Sequence, residues 1–313
     1  MHKTLLKVIS SDISLDYTSK CVFVGSCFSE NISQRMKQAG LMAESNPLGV
    51  LFNPISVANA LNNHDVILTQ NAFLKKDNIF LNWHANSKVY GVDDLEVFQE
   101  ELKLNLQEFK EKLSSADVLF VTLGSAFVYR FLEDDIRVAN CHKVPQKKFN
   151  KEFLSVSEML VVWKEVLNHL HTMNPKLKVV FTVSPVRHVK DGLVENNRSK
   201  ARLFELISRL EQEGAYYFPA YELVMDECRD YAYFEADGVH PNAFAIDRVW
   251  EYFCATYFST ETQGIMKQYL GFQSFFRHKS LHPESVSSLK AMQQQKEKYA
   301  DFLEKHPFIN TKE

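Results

Sequence analysis

Residues 21–40, CVFVGSCFSENISQRMKQAG, pass from an apolar run through Gly-Ser-Cys into a helical pattern. CVFVG (21–25) reads as a buried strand. In the segment after it, Phe28, Ile32, Met36 and Ala39 share one helical face, and Gly40 ends the helix. A nucleophile at such a turn is exposed, rigidly held and close to the positive end of the helix. That position is expected to lower a thiol pKa from about 8.5 towards neutrality. Ser26 and Cys27 stand there side by side. Small residues filling a tight turn are the other reading of the same letters.

The same alternation continues outward. Asn53-Pro54 opens a helix in NPISVANALNN, with Asn53 as its N-cap. DVLFVTLG (117–124) is a second strand. Met159, Leu160, Trp163, Leu167 and Leu170 then mark a helix that stops at Pro175. LKVVFTVSP (177–185) is a third strand, NRSKARLFELISRLEQEG a helix closed by Gly214, and AYYFP a weaker strand. A long helix capped by Asn242 follows. Strand-helix alternation predicts an α/β fold, a three-layer αβα sandwich with a mostly parallel central sheet. In such sheets ligands bind outside the carboxyl ends of the strands. Gly25-Ser26-Cys27, Gly124-Ser125 and Ser184-Pro185 would converge there.

Two stretches interrupt the pattern. AFLKKDNIFLNWHANSKVYG and AFVYRFLEDDIRVANCHKVP each suggest an inserted hairpin, turning at Asp77-Asn78 and Asp134-Asp135. The polar, helix-prone tail suggests a division into a main domain, 1–272, and a C-terminal helical extension, 273–313.

Composition narrows the function. The 313 residues are 45% hydrophobic and 24% charged, with a formal net charge of −3. No basic balance points to nucleic acid or to an anionic membrane surface. The five cysteines are scattered without a Cys-x-x-Cys pair, which fits a reduced, cytoplasmic setting and gives no zinc signature. The first twenty residues do not have the build of a signal peptide, and no run is long and apolar enough to span a bilayer. Neither a metal nor an organic cofactor is expected.

The second chemical feature is EADGVHPNAF (235–244). Asp237 and His240 lie three apart in a short loop feeding a helix, where a carboxylate can orient an imidazole and stabilise its charged form. A turn-capping Asp237 beside a merely exposed His240 is the alternative. A first-strand Gly-x-[Ser/Cys] followed much later by Asp-x-x-His before the last long helix is the layout of the SGNH (GDSL-type) hydrolases, whose fold is flavodoxin-like. GSCFS (25–29) resembles the motif that names one set of their relatives, the GSCFA family. NPLGVLFNP, VTLGSAFVYR, VANCHKVP, FTVSPVRHVKDGLVENNRSKARL and DGVHPN also look like that family's blocks, in order, over roughly residues 20–260.

The resemblance implies roles position by position. Gly25, Ser26 and Cys27 match the Gly-Asp-Ser of the related esterases, so register favours Cys27 as nucleophile over Ser26. Asp237 and His240 match the orienting acid and the base. Gly49 most nearly matches the second-block glycine that donates its N–H to the oxyanion, a role the resemblance also implies for the N–H groups of Cys27 and Gly124. The third block, normally Gly-x-Asn, reads Gly124-Ser125-Ala126, so its asparagine is missing. One such donor can be worth about 2.7–4 kcal/mol of barrier. Asn53 either replaces it or simply caps its helix. The implied activity is hydrolysis or transfer of an acyl (acetyl) ester on a sugar or other small polar substrate.

Arg187 and His188 follow the third strand and could face the crevice, Arg187 as a carboxylate or phosphate ligand. His142 is either a substrate contact or a surface-loop residue. Trp83 either stacks on a sugar or packs on the body. The competing reading is a non-catalytic carbohydrate-binding protein on the same scaffold, motivated by the absent Asp and Asn. A structural partner protein using the C-terminal helix is a third.

Overall fold

A computed structural model describes residues 4–8, 11–92, 94–278 and 280–311. In chain order the strands are β1 (Cys21–Gly25), β2 (Ala43–Ser45), β3 (Phe73–Lys76), β4 (Ile79–Asn82), β5 (Tyr90–Val92), β6 (Val118–Leu123), β7 (Phe127–Phe131), β8 (Ile136–Val138), β9 (Phe149–Phe153), β10 (Lys178–Val183) and β11 (Tyr216–Tyr217). The helices are α1 (Cys27–Gln38), α2 (Pro54–Asn62), α3 (His64–Leu68), α4 (Leu95–Ser114), α5 (Val156–Met173), α6 (Leu193–Glu211), α7 (Ala220–Glu222), α8 (Ala243–Tyr257), α9 (Thr260–Arg277) and α10 (Val286–Lys305).

The central sheet has the order β11-β10-β6-β1-β2, and every pairing in it is parallel. Its two faces follow from the period of two along a strand. Val22, Val24, Leu119, Val121, Val179 and Phe181 point to a core that they share with α2, α4, α5 and α6. Their neighbours Cys21, Phe23, Val118, Phe120 and Val180 point to the opposite core, packed against α1, α8 and α9. Both faces are therefore dry. That is why the strands read as continuous apolar runs and not as alternating ones. This is the expected αβα sandwich.

The two interruptions are larger than hairpins. The first gives the antiparallel sheet β3-β4-β5, turning at Asp77 (φ 53°); the second gives β8-β7-β9, turning at Asp135 (φ 52°). Trp83 fastens the two insertions together: it is 3% exposed and clusters with Phe131, Val138 and Phe149. Burial here excludes Trp83 from stacking on a ligand.

The division at 272/273 falls inside α9. Beyond it the chain returns to the main body. Phe302 and Ile309 are buried in the core shared with α1 and α8, and the Asn310 N–H donates to Gly40 O at 2.9 Å. The tail thus packs on the α1 side of the sandwich, beside α1, α8 and α9. No helix among the described residues is long and apolar enough to cross a membrane.

Candidate active site

The carboxyl ends of β1, β6 and β10 meet where the strand-end loops converge. At β1 the backbone must turn at once into α1. Gly25 does this at φ +117°, and a Cβ there would lie 2.1 Å from Thr122 O, so no side chain fits. Both main-chain groups of Gly25 are held by the next loop: its N–H donates to Asn46 Oδ1 at 2.8 Å, and its carbonyl accepts from Leu51 N at 2.9 Å. Ser29, on the first turn of α1, donates to Val24 O and bonds Thr122 Oγ1, both at 2.8 Å. The turn carrying the candidate nucleophiles is thereby locked to two strands.

This geometry separates Ser26 from Cys27. Ser26 is 1% exposed and is the N-cap of α1, its Oγ accepting from Phe28 N. Cys27 is the first residue of the helix and half-buried, and it lines a cavity of about 190 Å³. Asn31 and His240 line the same cavity, and Asn31 Nδ2 donates to Cys27 O at 3.0 Å.

The thiol is not activated in the way its place at a helix start suggests. Burial pushes its pKa up, and the carboxylate of Glu30 one turn on pushes the same way. The N–H groups of Cys27 and Phe28 and the Lys200 ammonium pull it down, but they do not prevail. The expected drop towards neutrality is overturned by desolvation.

Asp237 and His240 form the pair that the sequence suggests. His240 Nδ1 lies 2.6 Å from Asp237 Oδ2. Asp237 Oδ1 accepts from Val239 N at 2.8 Å and His240 N at 3.0 Å. With the carboxylate on Nδ1, Nε2 is left as the proton acceptor. The His240 backbone N–H and then its ring hold the Asp237 carboxyl at about 2. A depressed carboxyl pKa means that charge is complete above the usual value near 4 and is lost only as pH falls through about 2. The carboxyl's own protonation step, read from the Asp237 carboxyl-carbon NMR shift, should therefore lie well below the usual value. A full-sized carboxyl step centred at about 4 would contradict this geometry.

Arg187 is turned onto the loop that carries Asp237 and His240. Its Nη1 donates to Gly238 O at 3.3 Å, and its guanidinium lies over Phe234, 4.6 Å from the ring centroid. It braces the Asp237–His240 loop from below. His188 does reach the site. Its ring packs edge-on to Phe52 and against Gly124, with Nε2 buried and unpartnered. Burial first, then the Lys200 charge, bring its pKa down to about 4.

The other expected residues stand elsewhere or are occupied. The His142 side chain is buried in the insertions, Nε2 on Asn82 O at 2.8 Å and Nδ1 on Ser87 Oγ at 3.2 Å. It is neither a surface residue nor a substrate contact. The Gly49 N–H donates to Asn46 O at 2.8 Å in a tight turn against Asn86, where φ is +70°. The Gly124 N–H donates to Phe52 O at 2.7 Å, and the Ser125 N–H to the same oxygen at 3.0 Å. Neither glycine offers an oxyanion a free N–H. Asn53 is the N-cap of α2, accepting from Ser56 N at 2.8 Å and donating to Ser56 Oγ at 2.9 Å. Its side chain is spent on capping.

Lys200 is the site residue that sequence reasoning missed. It looked like one more polar residue near the start of a helix. Instead its ammonium is fully buried, donating to Gly124 O at 2.6 Å and Ser184 O at 2.7 Å. It joins the ends of β6 and β10 within electrostatic range of Cys27, and burial draws its pKa down to about 7. Among the described residues no group of three or more His, Cys, Asp or Glu side chains could hold a metal ion.

The comparisons with known proteins come to bear on this geometry. No curated protein matches the chain. Among solved structures, an acetyl xylan esterase (Est2A) from the rumen bacterium Butyrivibrio proteoclasticus is similar at 12% identity and a TM-score of 0.39. The similarity covers 80% of this chain and 64% of that one, so this chain spans less than two thirds of that chain's length. The GSCFA family matches residues 20–253, a span that holds β1 to α8 and with them Cys27, Lys200, Asp237 and His240, and the chain belongs to that family.

Proposed function

We propose that the chain is an acyl-transfer enzyme of the SGNH type, an ester hydrolase or O-acyltransferase acting on an acylated sugar or similar small polar substrate. The observation that carries this reading is one cavity with Cys27 on one wall and the Asp237-oriented His240 on another. His240 Nε2 takes the thiol proton as sulfur attacks the ester carbonyl. As the first residue of α1, Cys27 has an N–H without an intrahelical acceptor, and this donor faces the developing oxyanion. The second N–H of Asn31 supplies another donor on the cavity wall. The intermediate collapses to S-acyl-Cys27, and the leaving alkoxide takes the proton from His240. Water, or a hydroxyl of an acceptor, then receives the acyl group by the reverse steps.

The raised thiol pKa suits this scheme. The free enzyme keeps a neutral thiol, and deprotonation is coupled to attack. Acid-quenched mass spectrometry after mixing with p-nitrophenyl acetate should find one acyl group on the Cys27 peptide. No adduct together with no p-nitrophenol release would reject the mechanism.

A second reading is favoured by the engaged N–H groups of Gly49 and Gly124. In it the chain is a non-catalytic carbohydrate-binding protein on the same scaffold. It expects ligand-induced thermal stabilisation with no product.

A further inference from the structure

The inside of the cavity has a chemistry of its own. Beyond Cys27, Asn31 and His240 its lining is apolar: Phe28 of α1, Val186 after β10, Val224 after α7, Ile246 and Val249 of α8, and two prolines. Phe28, Val224 and Val249 belong to the core on the α1 side of the sheet, so the cavity borders that core.

We propose that this cavity is an acyl-chain pocket, and that the preferred substrates carry a straight acyl group of about six carbons in place of acetyl. The inference rests on the acyl-transfer reading and names the substrate class of that site. A sugar ring needs hydrogen-bond partners around its rim, and beyond the reacting pair the lining offers one polar side chain, Asn31. An alkyl chain needs none. Size sets its length. A dry apolar cavity of about 150 Å³ is enough to take up benzene, a six-carbon guest. At about 190 Å³ this cavity has room for an alkyl chain of similar carbon count. The placement is also what the chemistry requires. A carbonyl presented to Cys27 has two substituents, the acyl chain and the leaving alcohol. The chain can enter the cavity while a polar alcohol remains outside.

The test is an ester series with a binding arm. With p-nitrophenyl acetate, butyrate, hexanoate, octanoate and decanoate, kcat/KM should rise by up to about fourfold per methylene. It should peak near hexanoate, at least about tenfold above acetate, and fall by decanoate. Val186→Phe and Ile246→Phe, at half-buried wall positions that tolerate bulk, should each cut the hexanoate-to-acetate ratio by about tenfold or more. Separately, sodium hexanoate should bind Cys27→Ala protein in calorimetry where sodium acetate does not. Turnover that is lost in Cys27→Ala, but highest with acetate and unmoved in ratio by both fillings, overturns the pocket and leaves the enzyme reading standing. Hexanoate binding with no turnover of any ester overturns the enzyme reading and keeps the pocket. Neither turnover nor binding removes both.

Discussion

Alanine at His240 is expected to lower kcat/KM for p-nitrophenyl esters by about 10²–10⁴-fold, the usual worth of a positioned general base. Cys27→Ala should remove the acyl-enzyme altogether. Asp237→Asn should cost less, about tenfold to a hundredfold. Half of each side chain of the pair is open to solvent, with 54% exposure for His240 and 48% for Asp237, so water shares the task of stabilising the imidazolium. The raised Cys27 pKa sharpens the His240 result. A thiol already ionised at neutral pH would need no base, and His240→Ala would then be nearly silent. Here burial and Glu30 keep the proton on sulfur, so removing the base should be felt in kcat. Ser26→Ala is the control. It deletes an N-cap at a cost of about 1 kcal/mol in stability, and turnover should remain. Equal kcat/KM in His240→Ala and wild type would sink the relay. Loss of the adduct in Ser26→Ala but not in Cys27→Ala would move the nucleophile to the hydroxyl.

The Asp237–His240 pair is legible because it is local: the two residues are three apart, and one loop suffices to join them. Cys27 was legible because an apolar strand and an amphipathic helix abut at it. Strands β1, β6 and β10 could be read for the same reason: burial on both faces writes itself as a run of apolar residues. Helix α4 was overlooked, although Asp94 caps it and Phe98, Leu102, Leu106, Phe109 and Leu113 recur at helical spacing. That signal was present in the letters. By contrast β2 and β5 are three residues long, too short to carry a pattern of their own, and are defined by their pairing with β1 and β4.

Two of the differences come from contact across long sequence separations. Neither reading of His142, substrate contact or surface loop, holds, because its partner Asn82 is sixty positions away, and the Gly124 N–H is taken by Phe52 O, over seventy positions earlier. Gly49 is different: its N–H is taken within a local turn, by Asn46 O. The thiol pKa was misjudged because a helix N-terminus is visible in sequence and desolvation is not. The insertions gave their hairpin turns through Asp77 and Asp135, while the third strand of each and the Trp83 cluster between them depended on packing.

Lys200 is the extreme case, and it yields the largest stability effect. Lys200→Met should destabilise the fold by about 2–6 kcal/mol, because Gly124 O and Ser184 O would both lose their donor in a dry interior, at about 1–3 kcal/mol each. Methionine matches the bulk of the stem, so a cavity is not the cause. The pH dependence separates the charge from the packing. The folded pKa is lowered to about 7, while a lysine in the unfolded chain titrates near 10.4. Between these values the unfolded state holds the extra proton, so this group makes the wild type more stable as pH rises. Below pH 7 both states carry the charge, and the folded state bears its full desolvation cost. Wild type should gain about 2 kcal/mol relative to Lys200→Met between pH 7 and pH 9, read from urea unfolding at each pH. A gap that stays constant across that range would mean that the buried ammonium keeps its proton on the two carbonyls throughout. Activity offers a second discrimination. Lys200 holds the loops after β6 and β10, and its charge bears on Cys27. Lys200→Met should therefore slow acylation in the protein that remains folded, and should do so most at low pH, where the lost charge would otherwise favour the thiolate.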